Sequence, residues 1–77
     1  MVVGFVLIST APTKDRYVYA ELSKIKEIVE LQLLMGDYDL IAKIEAETYN
    51  GLANIVMYKI RTVDGVIDTE TLTDSII

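Results

Sequence analysis

Val2 to Ser9 is a nearly unbroken run of β-branched and large apolar residues, and Ile28 to Met35 is a second. Successive side chains leave an extended chain on opposite faces. Val2, Val3, Phe5, Val6, Leu7 and Ile8 therefore cannot all point one way, and neither can Ile28, Val29, Leu31, Leu33 and Leu34. A chain of 77 residues has room for two short helices besides its strands, and these cover one sheet face. The other face needs a cover, and a second copy of the chain is the simplest one. The sequence thus predicts a homo-oligomer, a dimer at the least.

The pattern along the chain gives the element order. After the Val2–Ser9 strand, Ala11-Pro12-Thr13 breaks the ladder, because proline lacks a donor and fixes φ. Thr13 or a neighbour caps a helix whose apolar positions Val18, Leu22 and Ile25 are spaced four and three apart. Ile28–Met35 is the second strand and Leu40–Ala46 the third, with Leu40, Ala42 and Ile44 on one face and Ile41, Lys43 and Glu45 on the other. Gly36-Asp37-Tyr38-Asp39 between them is a hairpin loop. Thr48 or Asn50 starts a second helix that runs through Arg61, with Leu52, Ile55, Val56 and Ile60 as its buried stripe. Thr62 to Gly65 turns the chain into a last strand, Ile67–Thr73. Strand, helix, strand, strand, helix, strand is the α+β ferredoxin-like order, βαββαβ. It predicts a four-stranded antiparallel sheet with both helices on one face, dimerising through the other into a sandwich or barrel.

Composition removes several function classes. No cysteine is present, so disulfides and thiolate metal sites are absent. No histidine is present either, which takes away the commonest general base and metal ligand. Ser9, Ser23 and Ser75 have no histidine to activate them. The four glycines form no phosphate-cradling spacing with a following lysine. A formal charge of -5 opposes attraction to phosphate backbones, so the chain alone is expected not to bind nucleic acid. No run reaches the roughly 20 apolar residues that span a bilayer, and Met1 leads straight into Val2-Val3-Gly4-Phe5 without a basic n-region or a small-residue cleavage site, so no signal peptide is expected. The expectation is a cytoplasmic single domain over 1–77 with no cofactor, no metal, no membrane partner and no enzymatic activity.

Two constellations stand out for binding. Gly36-Asp37-Tyr38-Asp39 reads as turn chemistry, since Asp holds its own backbone and Gly supplies positive φ. A second reading is a loop offering backbone N–H groups and a carboxylate to a zwitterion, which needs donors for its carboxylate and an acceptor for its ammonium, although the bare tetrapeptide favours the turn. Thr69 and Thr71 are two apart and share a strand face, with Thr73 continuing the row. Threonine is common on exposed strands, so this row reads as strand chemistry or as ligand hydroxyls.

Gly36-x-Tyr38-Asp39-Leu40, followed by a helix and then Gly65-Val66-x-x-Thr69-x-Thr71, resembles the effector-binding (RAM) domain of the Lrp/AsnC transcriptional regulators. The Pro12 turn, Val18 and Leu22, Leu52 and Lys59-Ile60-Arg61 fall in the same order, so the resemblance covers essentially the whole chain. It implies a domain that binds small amino acids in a crevice between dimers and assembles into rings such as octamers or decamers. Carried to this chain, it implies ligand contacts from Gly36, Tyr38, Asp39, Thr69 and Thr71, with Asp37 at the pattern's variable position. Two departures are visible: Thr13 stands where relatives often have glycine, and no helix-turn-helix precedes the first strand. The resemblance therefore implies either a stand-alone effector domain that reaches transcription through a full-length partner regulator, or the effector part of a longer regulator, which would read the same. A small dimeric α/β-barrel enzyme, monooxygenase- or isomerase-like, and a purely structural oligomerisation module share this strand order.

Overall fold

Alternation in β3 (Leu40–Ala46) decides the layering: Leu40, Ala42, Ile44 and Ala46 are buried, while Ile41, Lys43 and Glu45 between them are half-exposed. The computed structural model describes residues 1–73, and Ser75 lies outside them. The other elements are β1 (Val2–Thr10), α1 (Asp15–Leu22), β2 (Ile28–Leu33), α2 (Tyr49–Ile55), a π-helical continuation of α2 over Val56–Ile60, and β4 (Val66–Thr73). The four strands form one antiparallel sheet in the order β2-β3-β1-β4. This is the expected ferredoxin-like α+β fold.

One face of the sheet carries the core. Val6, Ile8, Leu40 and Ile44 from the strands, Val18 and Leu22 from α1, and Ile60 beyond α2 are fully buried. Each such side chain contributes about 1.5–3 kcal/mol. The ion pairs are partly or largely exposed, as in Lys24–Glu21 and Lys14–Asp64, and pairs of that kind contribute about 0–1 kcal/mol. Apolar burial therefore holds the fold. Gly4 sets the height of α2 above the sheet, because a Cβ there would lie 2.8 Å from Leu52 Cδ1.

The pairing registers give the opposite face. Val3, Phe5 and Leu7 of β1 lie opposite Glu45, Lys43 and Ile41 of β3. Phe5 and Leu7 also lie opposite Leu72 and Glu70 of β4. Val3, Phe5, Leu7, Ile41 and Leu72 thus make a continuous apolar stripe that no helix covers. Phe5 is 41% and Leu72 48% exposed. The expectation holds for β1, whose apolar surplus stands on this face; it fails for β2, where a register shift between Ile28 and Glu30 leaves Ile28, Leu31 and Leu33 opposite the buried Ile44, Ala42 and Leu40 and puts Glu30 and Gln32 on the open face.

Several boundaries differ from the sequence expectation. Thr13 does not cap α1; the N-cap is Lys14, which makes no side-chain cap hydrogen bond. Instead the Lys14 N–H bonds the Ala11 carbonyl at 3.0 Å, closing a turn with Pro12 second and Thr13 third. Thr13 has φ +69°, the left-handed value that a type II turn demands at that position and that glycine adopts without strain. Helix α1 stops at Leu22, three residues before Ile25, yet Ile25 still packs against the core from the following turn. Strand β2 ends at Leu33 and not at Met35, whose side chain is wholly exposed as the chain enters its loop. Helix α2 begins as expected, with Thr48 Oγ1 accepting from the Gly51 N–H at 3.0 Å. Its last turn widens, and the Arg61 N–H bonds the Val56 carbonyl five residues back at 2.9 Å.

Candidate functional site

The loop between β2 and β3 is held from both sides. Gly36 has φ +141° and open space where a Cβ would stand, so glycine serves the turn and not packing. Asp39 extends the ladder one residue beyond β3: its N–H bonds the Ile8 carbonyl at 2.9 Å and its carbonyl accepts from the Leu34 N–H at 2.8 Å. Its side chain then replaces a strand that has ended. Ile8 pairs with Leu40, the first residue of β3, so the Thr10 N–H beyond has no ladder carbonyl. Asp39 Oδ2 accepts it at 2.7 Å. At least one oxygen of this carboxylate belongs to the fold.

Tyr38 reaches the other way. Its phenolic O–H donates to Glu70 Oε1 at 3.0 Å. Glu70 lies opposite Leu7 on the helix-free face, and β4 is separated from β3 by β1, so Tyr38 spans a strand along that face. The Glu70 carboxylate holds the Tyr38 hydroxyl above its usual range, as does loss of water around the ring, with Asp68 and Asp37 adding negative potential. The loop, Glu70 and Asp68 thus form an acidic rim at one end of the apolar stripe.

Thr69 and Thr71 stand elsewhere. They pair with Ile8 and Val6, whose side chains enter the core, so the threonines share the helix-side face. Thr71 and Thr73 line a hollow with Leu52, Val56 and Met57 beside α2. Within one chain, the structure brings Tyr38 to Glu70 but does not bring the threonines to the loop. Glu70 and Asp68 are the residues that sequence reading missed. They alternate with the threonines, and only the β1–β4 register reveals that they, and not Thr69 or Thr71, share the face that Tyr38 crosses.

At the other end of the sheet, Lys59 Nζ meets Glu27 Oε2 at 2.8 Å. That hydrogen bond holds the Glu27 carboxyl below its usual range, against the opposing effect of burial. On the helix-free face, Lys43 lies 4.0 Å from Glu30. Among the described residues there is no group of three or more acidic side chains placed to hold a metal ion, and no helix long and apolar enough to cross a membrane. The arrangement offers hydrogen-bond donors and carboxylates beside an apolar surface, which is equipment for binding and assembly.

Comparison with known proteins agrees with this architecture. The chain matches the Lrp/AsnC ligand binding domain over residues 3–73. An uncharacterized HTH-type transcriptional regulator of Pyrococcus abyssi is 30% identical over 70 residues, which is 91% of this chain and 44% of that protein. The chain thus spans about half the length of the curated regulators it matches. Among solved structures, FFRP-DM1 superposes with a TM-score of 0.91 at 35% identity, covering 97% of this chain and 100% of that one. The structure of E. coli AsnC superposes at 0.89 with 26% identity, over 95% of this chain and 50% of that one. Matched along almost its entire length, the chain belongs to the Lrp/AsnC ligand binding domain family.

Proposed function

We propose that this chain is an amino-acid-sensing effector domain whose ligand sits at the Gly36–Asp39 loop and biases assembly through the helix-free sheet face. The observation that carries the reading is the placement of that loop. It stands at the end of an apolar stripe, tied to β1 by Asp39 and to β4 by Tyr38. A zwitterion needs donors for its carboxylate and an acceptor for its ammonium. The loop backbone supplies the first, and Asp37 or the second Asp39 oxygen supplies the other. A neisserial regulator of the same fold, NMB0573, was solved as a complex with L-Met; it is 18% identical to this chain, so the ligand class is all that is borrowed from it.

In this reading the stripe Val3, Phe5, Leu7, Ile41 and Leu72 is the contact between two copies, which meet isologously. Thr69 and Thr71 join the site from a neighbouring dimer, since they cannot reach the loop of their own chain. Ligand binding then shifts the assembly by its differential affinity for two arrangements, which is what allostery requires. The domain works without catalysis, in the cytoplasm and without binding DNA itself, and it reaches transcription by joining a full-length regulator of the same family.

Isothermal titration of the full chain against L-amino acids and their D-enantiomers tests the reading, with sedimentation read in parallel. A stereospecific hit that changes the assembly state and is weakened at least tenfold by Tyr38→Ala supports it. Absence of any stereospecific binding by the assembled protein would leave a structural module.

A further inference from the structure

Asn50-Gly51 is the one Asn-Gly pair in the chain, and it lies in the first turn of α2. An asparagine followed by glycine is open to self-modification, because glycine has no Cβ to shield its nitrogen from the asparagine side chain. Asn50 is exposed. In this fold the reaction is held off. The Gly51 N–H, whose nitrogen would have to attack, donates to Thr48 Oγ1 at 3.0 Å. The next N–H, that of Leu52, bonds the Thr48 carbonyl at 3.0 Å. A helical turn closed by both bonds keeps the Gly51 nitrogen from lining up with the Asn50 side-chain carbon. A Cβ at Gly51 would stand 3.3 Å from Thr48 Oγ1, tighter than ordinary contact. The residue that leaves the nitrogen unshielded is thus also the one that lets the hydroxyl close over it. Asn54 in the same helix is followed by β-branched Ile55, which crowds the corresponding nitrogen.

We propose that Asn50-Gly51 is a latent self-modification site, kept closed by the Thr48 hydroxyl and released when the first turn of α2 opens. On opening, the Gly51 nitrogen gives its proton to solvent base and bonds Asn50 Cγ. The Cγ–Nδ2 bond breaks and ammonia leaves, taking a proton back from solvent, so that a cyclic imide remains. Water then opens the imide. Opening at Cγ gives aspartate in the ordinary backbone, and opening at the main-chain carbonyl carbon gives isoaspartate; neither needs an oxidant. Aspartate puts a carboxylate in the first turn, where the peptide dipoles favour it. Isoaspartate adds one backbone carbon between residues 50 and 51. Thr48 then no longer caps the turn, and Leu52, 2% exposed above Gly4, loses its seat. The site does not rest on the reading given for the loop.

Mass spectrometry of the tryptic peptide Ile44–Lys59, taken from the full chain aged in mildly alkaline buffer, follows Asn50 and Asn54 together. Conversion at Asn50 is expected to run about tenfold faster or more in denaturing urea than in native buffer, with Asn54 lagging in urea. Thr48→Val removes the acceptor and keeps the side chain's shape. It is expected to speed native conversion about fivefold, the local opening gained by losing one cap. Thr48→Ser keeps the wild-type rate. Ile8→Val, a comparable loss of stability placed in the sheet, leaves the native rate unchanged because it does not touch the turn. Hydrogen exchange at the Gly51 amide reads the same lock without a substitution, and protection is expected. If Thr48→Val does not fold, that exchange and the wild-type rates decide alone. Four results overturn the proposal: equal Asn50 rates in buffer and urea, conversion at Asn54 ahead of Asn50 in urea, an unprotected Gly51 amide, or a rate in folded Thr48→Val no higher than in Ile8→Val.

Discussion

Tyr38 donates to Glu70 across β1, joining the β2–β3 loop to β4 on the face that the helices leave open. The contact places a titratable hydroxyl where the loop, the acidic rim and the apolar stripe meet.

The Tyr38–Glu70 bond needs the phenol protonated, and the folded state holds that proton more tightly than the unfolded chain does. Its contribution is therefore complete below the ordinary tyrosine value of about 10 and is lost as pH rises through the raised folded value. Tyr38 is expected to ionise above the ordinary tyrosine range, as a late component in an absorbance titration. Tyr38→Phe removes that late component, and hydrogen exchange at the Leu34 and Asp39 amides quickens. A late component that survives in Tyr38→Phe would assign the raised group elsewhere.

Phe5 stands at the middle of the apolar stripe, half-exposed and opposite both Lys43 and Leu72. In an isologous contact Phe5→Glu inserts two like charges at once, a penalty of several kcal/mol. Self-association is expected to weaken by about two orders of magnitude or more, read by sedimentation at micromolar protein. Tyr19→Glu, on α1 and 37% exposed, serves as the matched control and leaves assembly unchanged. Equal assembly of wild type and Phe5→Glu would remove this face as the interface.

Thr13 occupies a left-handed backbone position, φ +69°, with a β-branched side chain. For such a residue this conformation costs about 1–2 kcal/mol, part of which glycine returns as unfolded-state entropy. Thr13→Gly is expected to raise stability by about 0.5–1 kcal/mol, seen as a few degrees in Tm at fixed protein concentration. Unchanged or lowered Tm would mean that the threonine side chain compensates its own strain.

Asp39 has two possible duties, and one of them is already visible. Asp39→Ala leaves the Thr10 N–H without its acceptor and is expected to cost about 1–2 kcal/mol of stability. Asp39→Asn keeps an acceptor for Thr10 and costs less, yet removes the charge that an ammonium ligand would meet. Melting curves beside calorimetric titration separate these duties. Lowered affinity in Asp39→Asn with near-native melting places the carboxylate in the ligand site, whereas unchanged affinity restricts it to the β1 end.

The order of elements, the buried stripes of both helices and the alternation of β3 follow from the amino-acid sequence alone. Each depends on local periodicity: residues two apart in a strand, three or four apart in a helix, with Thr48 and Gly36 at the ends. The unpartnered sheet face was legible for the same reason, because Val2–Ile8 holds more apolar side chains than one face can take. Pairing register was not legible, and it alone decides that Glu70 meets Tyr38 while Thr69 and Thr71 turn toward α2. A shift of one residue along β4 would exchange the two sets, and nothing within β4 itself marks which is correct. The left-handed Thr13 and the widened turn at Val56–Ile60 are likewise decided by tertiary contacts. Gly65 packs a turn against Lys14 and Val18, and the Glu27–Lys59 bond joins segments that only the folded sheet brings together.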